Sequence, residues 1–250
     1  MILQVERLAK SFFGLNVLNH ISLSVAEHEL LSIIGPNGSG KTTLFNVISG
    51  HLRPDGGTVT FAGADITGQP AHRIAVRGIS RTFQDVRLFA SLSVMDNLLL
   101  AVQQHQEDNL LGRFFQSRSV AAHERVAVER TREMLALINL EQYADFPAGQ
   151  LSYGQRKLLQ FGLAIIPDPS LLLLDEPAAA VNPTMINTIK QRIVDFNKQD
   201  KTVVLIEHNM DVVMDISHRI LVMDYGEVIA EGPPEAIRHN PLVLEAYFGR

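Results

Sequence analysis

The chain predicts an α/β fold, with a core of parallel strands, an antiparallel β lobe at the N-terminal side and a helical subdomain inserted into the core. Three observations lead there. The apolar run Leu30-Leu31-Ser32-Ile33-Ile34 is followed by a glycine-rich turn and by helix-forming spacing from Thr43 to Ser49, closed by Gly50. Two further apolar runs, Leu171 to Leu174 and Val203 to Ile206, flank a helical stretch from Pro183 to Asn197, and strand, helix, strand implies a parallel sheet. From Leu92 to Ile166 the pattern turns helical, with Val94, Leu98 and Ala101 at one end and Met134, Leu135 and Ile138 at the other.

The β lobe rests on apolar and polar alternation up to about residue 65, with turn signals at Asp55-Gly56-Gly57 and Ala62-Gly63-Ala64-Asp65. Between the predicted helices, Gln103 to Arg118 is polar but carries Leu110, Leu111, Phe114 and Phe115. It reads either as a short amphipathic helix packed on its neighbours or as a partner-docking surface. Arg219 to Ile229 reads as a hairpin turning at Tyr225-Gly226, followed by a short helical tail. The expected division is a core with β lobe over 1–90 and 167–250, and a helical subdomain over 91–166, within one domain of 250 residues.

Composition narrows the function classes. At 46% hydrophobic and 20% charged residues the chain is that of an ordered globular protein. A net charge of -5 argues against a basic nucleic-acid footprint, so no nucleic-acid partner is expected. With no cysteine, disulfides, thiolate catalysis and cysteine-based zinc sites are excluded. The N-terminus shows no signal-peptide pattern, and no apolar run approaches the roughly 20 residues that span a bilayer. Any membrane role is therefore expected to come through a partner.

The chemistry starts at Gly35-Pro36-Asn37-Gly38-Ser39-Gly40-Lys41-Thr42, which fills every fixed position of the phosphate-binding G-x-x-x-x-G-K-[ST] loop. Its glycines let the backbone wrap inward so that successive N-H groups face phosphate oxygens. Lys41 is expected to reach the β and γ phosphates of a nucleoside triphosphate, and Thr42 to offer its hydroxyl to Mg²⁺. The helix that follows, from Thr43, turns its positive end towards the anion.

Leu171 to Leu174 ends in Asp175-Glu176, two carboxylates at the strand edge where ligands sit in parallel α/β sheets. Asp175 is the candidate to hold Mg²⁺, directly or through water, and Glu176 to polarise the attacking water. His208, just beyond the strand Val203 to Ile206, is a candidate for the γ phosphate or the water, and alternatively a capping or surface histidine.

Leu151-Ser152-Tyr153-Gly154-Gln155 then gives the chain its family likeness. With the motifs above in order, the sequence resembles the ATP-binding cassette family, the ATPase subunits of ABC transporters, over nearly its whole length. The family's signature reads L-S-G-G-Q, and here Tyr153 stands at the third position. The resemblance implies a RecA-like P-loop NTPase core and ATP and Mg²⁺ as ligands. It also implies that Ser152, Tyr153, Gly154 and Gln155 contact the γ phosphate of ATP bound to an opposite subunit in a head-to-tail dimer.

Gln84, in Arg81-Thr82-Phe83-Gln84, matches the family glutamine that reaches Mg²⁺ and the water and joins the core to the helical subdomain. Phe12 sits where the family stacks an aromatic ring on adenine, with Phe13 an equally placed rival and core packing the plain alternative for either. One departure is Asn182, where many relatives have aspartate; it keeps hydrogen-bonding capacity without the charge.

Within the family the likeness is to ATPase subunits of branched-chain (hydrophobic) amino acid importers. It is carried by Arg81 to Gln84, Leu151 to Gln155, Glu176-Pro177-Ala178-Ala179 before Asn182-Pro183, and the ending Asn240 to Gly249. This implies a homo- or heterodimer driving integral membrane permease subunits, served by a substrate-binding protein, at the cytoplasmic face of a bacterial inner membrane. Alternatives are the ATPase of a lipopolysaccharide-type exporter, a soluble ABC ATPase of DNA repair or translation, and a non-hydrolysing nucleotide switch. The long coiled coil of repair relatives and the second cassette of translation relatives are both missing, and intact Lys41, Gln84, Asp175, Glu176 and His208 speak against the switch.

Overall fold

A computed structural model describes residues 1–103 and 117–248. The chain divides into two compact units, Met1–Gln84 with Ser170–Arg250, and Asp85–Pro169. Leu110, Leu111, Phe114 and Phe115 lie outside the described residues.

The first unit contains two sheets. The antiparallel one pairs β1 (Leu3–Phe12) with β2 (Leu15–Val25) and β4 (Gly56–Phe61), and ends on the two-residue β5 (Ala64–Asp65). The second contains β3 (Leu30–Ile34), β6 (Ile79–Arg81), β7 (Leu171–Asp175), β8 (Thr202–Ile206), β9 (Arg219–Asp224) and β10 (Glu227–Gly232), in the order β10-β9-β3-β8-β7-β6. Its strands from β9 to β6 run parallel, and only the edge strand β10 is antiparallel.

The parallel strands are buried on both faces, which is why they read as continuous apolar runs rather than alternations. Leu31, Ile33, Leu171, Leu173, Val204, Ile206 and Leu221 face the core shared with the β lobe and Phe45. One residue out of step, Ile34, Ile220 and Val222 face the other way, onto Val213, Ile237 and Val243 from the C-terminal helices. These helices are α7 (Met210–Ile216), α8 (Pro234–Arg238) and α9 (Pro241–Phe248), preceded in the unit by α1 (Lys41–Ile48), α2 (Ala71–Val76) and α6 (Pro183–Asn197).

The second unit holds α3 (Val94–Gln103), α4 (Ser117–Leu137) and α5 (Tyr153–Ile165). Of the residues that set the helical pattern, Val94, Leu98, Leu135 and Ile138 are buried, while Ala101 and Met134 are half-buried. Gly162 on α5 admits Ile138 at close range, since a Cβ there would lie 2.9 Å from the isoleucine Cδ1. Buried Asn97 ties down Phe89 with both ends of its amide, accepting from the Phe89 N-H at 2.9 Å and donating to its carbonyl at 3.1 Å.

Two local expectations need correction, and two elements are added. The first helix starts at Lys41 rather than Thr43, because Gly40, with φ of 99°, ends the loop and its carbonyl already accepts from Leu44 N-H. Gly56-Gly57 is not a turn but the start of β4, where the pairing with β1 slips between Glu6 and Ala9. Gly57 has φ of 83°, and a Cβ there would lie 2.4 Å from the Arg7 carbonyl oxygen, so a glycine is needed for the strand and not for a turn. The edge strand β6 and helix α2, between the β lobe and the helical region, are additions that no strong periodicity announced.

Candidate functional site

The loop joining β3 to α1 emerges at the carboxyl edge of the parallel sheet, between its neighbours β8 and β9. A Cβ on Gly35 would lie 1.9 Å from the Met223 carbonyl oxygen, and one on Gly40 2.6 Å from that of Val17, so both glycines are required by close backbone approach. The loop is fastened from outside by the hairpin between β9 and β10. Gly226 N-H donates to the Ser39 carbonyl at 3.1 Å, and the Gly226 carbonyl accepts from Asn19 N-H at 2.8 Å. Tyr225 and Gly226, at φ of 44° and 76°, form the turn expected of that dipeptide.

Lys41 is buried, and its ammonium donates to the Gly35 and Pro36 carbonyls at 2.8 Å and to Ser39 Oγ at 3.2 Å. Burial lowers its pKa, while the charges of Glu176 and Asp175 act in the opposite direction. A cavity of about 170 Å³ opens over the loop, lined by Val17, Asn37, Gly38, Gly40, Lys41, Thr42, Thr43, Glu176 and His208. Phosphate-loop residues, the candidate base and the histidine therefore share one cleft.

At that cleft three side chains meet. Glu176 Oε1 lies 3.1 Å from His208 Nε2, and its Oε2 accepts from Gln84 Nε2 at 3.0 Å. Glu176 holds φ of 50°, a left-handed backbone that costs a non-glycine residue roughly 1–3 kcal/mol and tends to occur where function needs it. Asp175, one residue back, is buried and paired with Arg81 NH2 at 3.0 Å, while its N-H donates to Thr82 Oγ1 at 3.1 Å. Arg81 is itself locked, donating to Asn46 Oδ1 and Ser49 Oγ and lying over the rings of Phe45 and Phe83.

Thr42, Asp175 and Gln84 offer hydroxyl, carboxylate and amide oxygens, the hard donors that suit Mg²⁺. Among the described residues no cluster of three or more His, Asp or Glu forms a complete metal cage. A small donor set fits an ion that keeps waters and takes its remaining ligands from phosphates.

Phe12 and Phe13 are not core residues. Phe12, at the end of β1, is 39% exposed with the Lys10 ammonium 5.6 Å from its ring centre, and Phe13 is fully exposed in the β1–β2 turn at φ of 49°. Neither lines the cavity; Val17, which sequence reasoning passed over, does.

In the second unit, Ser152 caps α5. Its Oγ accepts from Gln155 N-H at 3.3 Å, and the Gln155 side-chain oxygen accepts from Ser152 N-H at 2.8 Å. The S-x-x-Q spacing forms a capping box. Tyr153 is partly exposed, with Arg156 and Lys157 within 5.8 Å and 5.7 Å of its ring centre. Asn182 caps α6, its Oδ1 accepting from Met185 N-H at 2.9 Å with Pro183 next in line. Aspartate and asparagine serve equally well there.

Two side chains with no role assigned from the sequence bond to the cleft's residues or to their chain neighbours. Arg81 braces Asp175, as above. Glu207, buried at 2% exposure, turns its carboxylate back onto Ala178 N-H at 2.7 Å, His208 N-H at 2.9 Å and Asn209 N-H at 3.1 Å.

A family model described as ABC transporter matches residues 18–179, and one described as branched-chain amino acid ATP-binding cassette transporter matches residues 227–250. The high-affinity branched-chain amino acid transport ATP-binding protein BraF of Pseudomonas aeruginosa is 42% identical, over 99% of this chain and 98% of its own. Among solved structures, an ATP-binding cassette of an ABC transporter in its ADP conformation is 33% identical with a TM-score of 0.85, covering 100% of this chain and 99% of that one. A dimeric bacterial ABC transporter cassette is 25% identical with a TM-score of 0.80, over 93% and 99%.

Proposed function

The chain belongs to the ABC transporter family, and from that premise we propose that it is the ATP-hydrolysing subunit of an importer for branched-chain or other hydrophobic amino acids. The observation that carries the hydrolytic reading is the convergence of Gln84, Glu176 and His208 beside the phosphate loop.

Loop N-H groups and Lys41 offset the phosphate charge, and the α1 dipole adds to them. Glu176 is the general base. It takes a proton from the attacking water as the water oxygen bonds to the γ phosphorus and the bond to the β-γ bridging oxygen breaks. Gln84 and His208 aim that carboxylate from either side. Thr42, Asp175 and Gln84 would hold Mg²⁺, which when bound neutralises charge on the phosphate oxygens. Phe12 is assigned to stack on the adenine ring, as its position in the family pattern implies.

Ser152 to Gln155 act in trans, closing the site of a second cassette in a head-to-tail dimer, either a second copy or a paralogue. A dimeric relative supports that reading. No described helix is long and apolar enough to cross a membrane. The dimer works from the cytoplasmic face on integral permease subunits, supplied by a substrate-binding protein. No nucleic acid is involved.

The test is reconstitution of the chain with its co-purifying permease in vesicles carrying the binding protein on the far side. ATP-dependent uptake of labelled leucine, isoleucine or valine is expected. ATP-driven movement of a lipid-linked saccharide, or no transport with either, would overturn the importer reading.

A further inference from the structure

Glu207 stands between the two loops that carry the candidate base and the histidine. Its Oε1 accepts from Ala178 N-H, two residues past Glu176, and its Oε2 accepts from the N-H groups of His208 and Asn209. A carboxylate with only 2% exposure is costly to bury, and these backbone donors, from two segments far apart in sequence, are what it is given. Glu176 N-H donates to the Ile206 carbonyl at 2.9 Å, and Ala179 N-H donates to the Glu176 carbonyl at 3.2 Å. Residues 176–179 are thus pinned at three points, Glu176 to β8, Ala178 to Glu207 and Ala179 back to Glu176. At the centre of that clamp sits the left-handed backbone of Glu176.

We propose that Glu207 is a positioning residue for hydrolysis, a buried carboxylate clamp that holds the Glu176 loop and the His208 loop in one register. It touches neither nucleotide nor water, and acts through the Glu176–His208 distance. Removing it leaves the phosphate loop, Lys41 and Asp175 unchanged, so nucleotide binding persists while the base loses its aim. Reacting groups misplaced by about 1 Å forfeit about a hundredfold in rate. The inference rests on the assignment of Glu176 and His208 to hydrolysis made above.

The experiment measures kcat and KM for MgATP, and affinity for a fluorescent ATP analogue, in the full-length chain carrying Glu207→Gln or Glu207→Ala, with Glu176→Gln alongside. Glu207→Gln is nearly isosteric and keeps one acceptor oxygen, so it remains informative if Glu207→Ala does not fold. The expected result is a kcat lower by roughly tenfold in Glu207→Gln and a hundredfold in Glu207→Ala, with KM and analogue affinity within about twofold of the parent. A kcat for Glu207→Gln equal to the parent's while Glu176→Gln is inactive would overturn the clamp alone. So would a parallel fall of kcat and analogue affinity, the mark of a merely structural role. Hydrolysis retained by Glu176→Gln would instead overturn the assignment on which the clamp depends.

Discussion

Glu176 Oε1 lies 3.1 Å from His208 Nε2, although the two residues belong to different strands' ends, and the pair faces the cavity over the phosphate loop. Replacing the carboxylate by an amide keeps the shape and removes the base. Glu176→Gln is expected to lower kcat by at least about a hundredfold while ATP affinity holds. Steady-state phosphate release beside equilibrium nucleotide binding checks both halves; activity near the parent's would sink the assignment.

Arg81 and Asp175 form a buried pair, with side chains only 5% and 3% exposed. Arg81→Met strips the guanidinium from a buried carboxylate and leaves Asn46, Ser49 and two rings without their shared cation. A loss of roughly 3 kcal/mol is expected. Lysine has no planar fork to serve several acceptors at once, so Arg81→Lys should recover only part of it. Denaturant midpoints for the parent and both variants decide the matter, and equal midpoints would contradict it.

The capping box at Ser152 separates stability from chemistry. Ser152→Ala should cost about 1 kcal/mol through the lost cap, and Ser152→Asp, a good cap, should restore it. Should Ser152 also face a phosphate across a dimer, the added negative charge of Ser152→Asp would depress hydrolysis despite restored stability. Urea melts and turnover measured on the same preparations test this, and full turnover in Ser152→Asp would remove Ser152 from the shared site.

Acid sensitivity should come in part from the foot of the parallel sheet. Arg219 grips Glu29 with Nε at 2.6 Å and NH2 at 2.9 Å. Burial pushes the Glu29 pKa up, but the Arg219 hydrogen bonds, the Ala26 N-H and the guanidinium charge outweigh it and hold the carboxyl below its ordinary 4.5. A depressed folded pKa means stability that is fully present above 4.5 and is lost as pH falls through the lower, folded value. Glu29→Gln should therefore cost about 2 kcal/mol near pH 7, with the gap to the parent closing below pH 4.5. Thermal melts across that range should show the convergence; a gap independent of pH would refute it.

Much of this was legible in the sequence because its signals are local. The phosphate loop is one contiguous motif, and the fully buried strands β3, β7 and β8 show their character in runs of five residues. Gln84, Glu176 and His208 could each be picked out by position, but their meeting depends on the strand order of the sheet, which no single segment encodes. Arg81 and Asp175 are 94 residues apart, and nothing near either names the other. Glu207 was hidden for another reason: beside a histidine at a strand end it looks like a solvent-facing acid, and only the fold reveals that its donors are backbone groups. Gly56-Gly57 misled because a bulge and a turn call for the same residue.

The fastening of Ser39 by Gly226 has a consequence for the newborn chain. The phosphate loop is translated early, yet both strands flanking β3 and the hairpin tip that secures the loop come from the last quarter of the chain. At ordinary elongation rates that delay amounts to roughly 10–40 s. During it the ribosome carries an apolar strand whose neighbours do not yet exist. Nucleotide binding is thus acquired only after Gly226 has been made, and a chain cut short before Gly226 would expose that strand without ever forming a site.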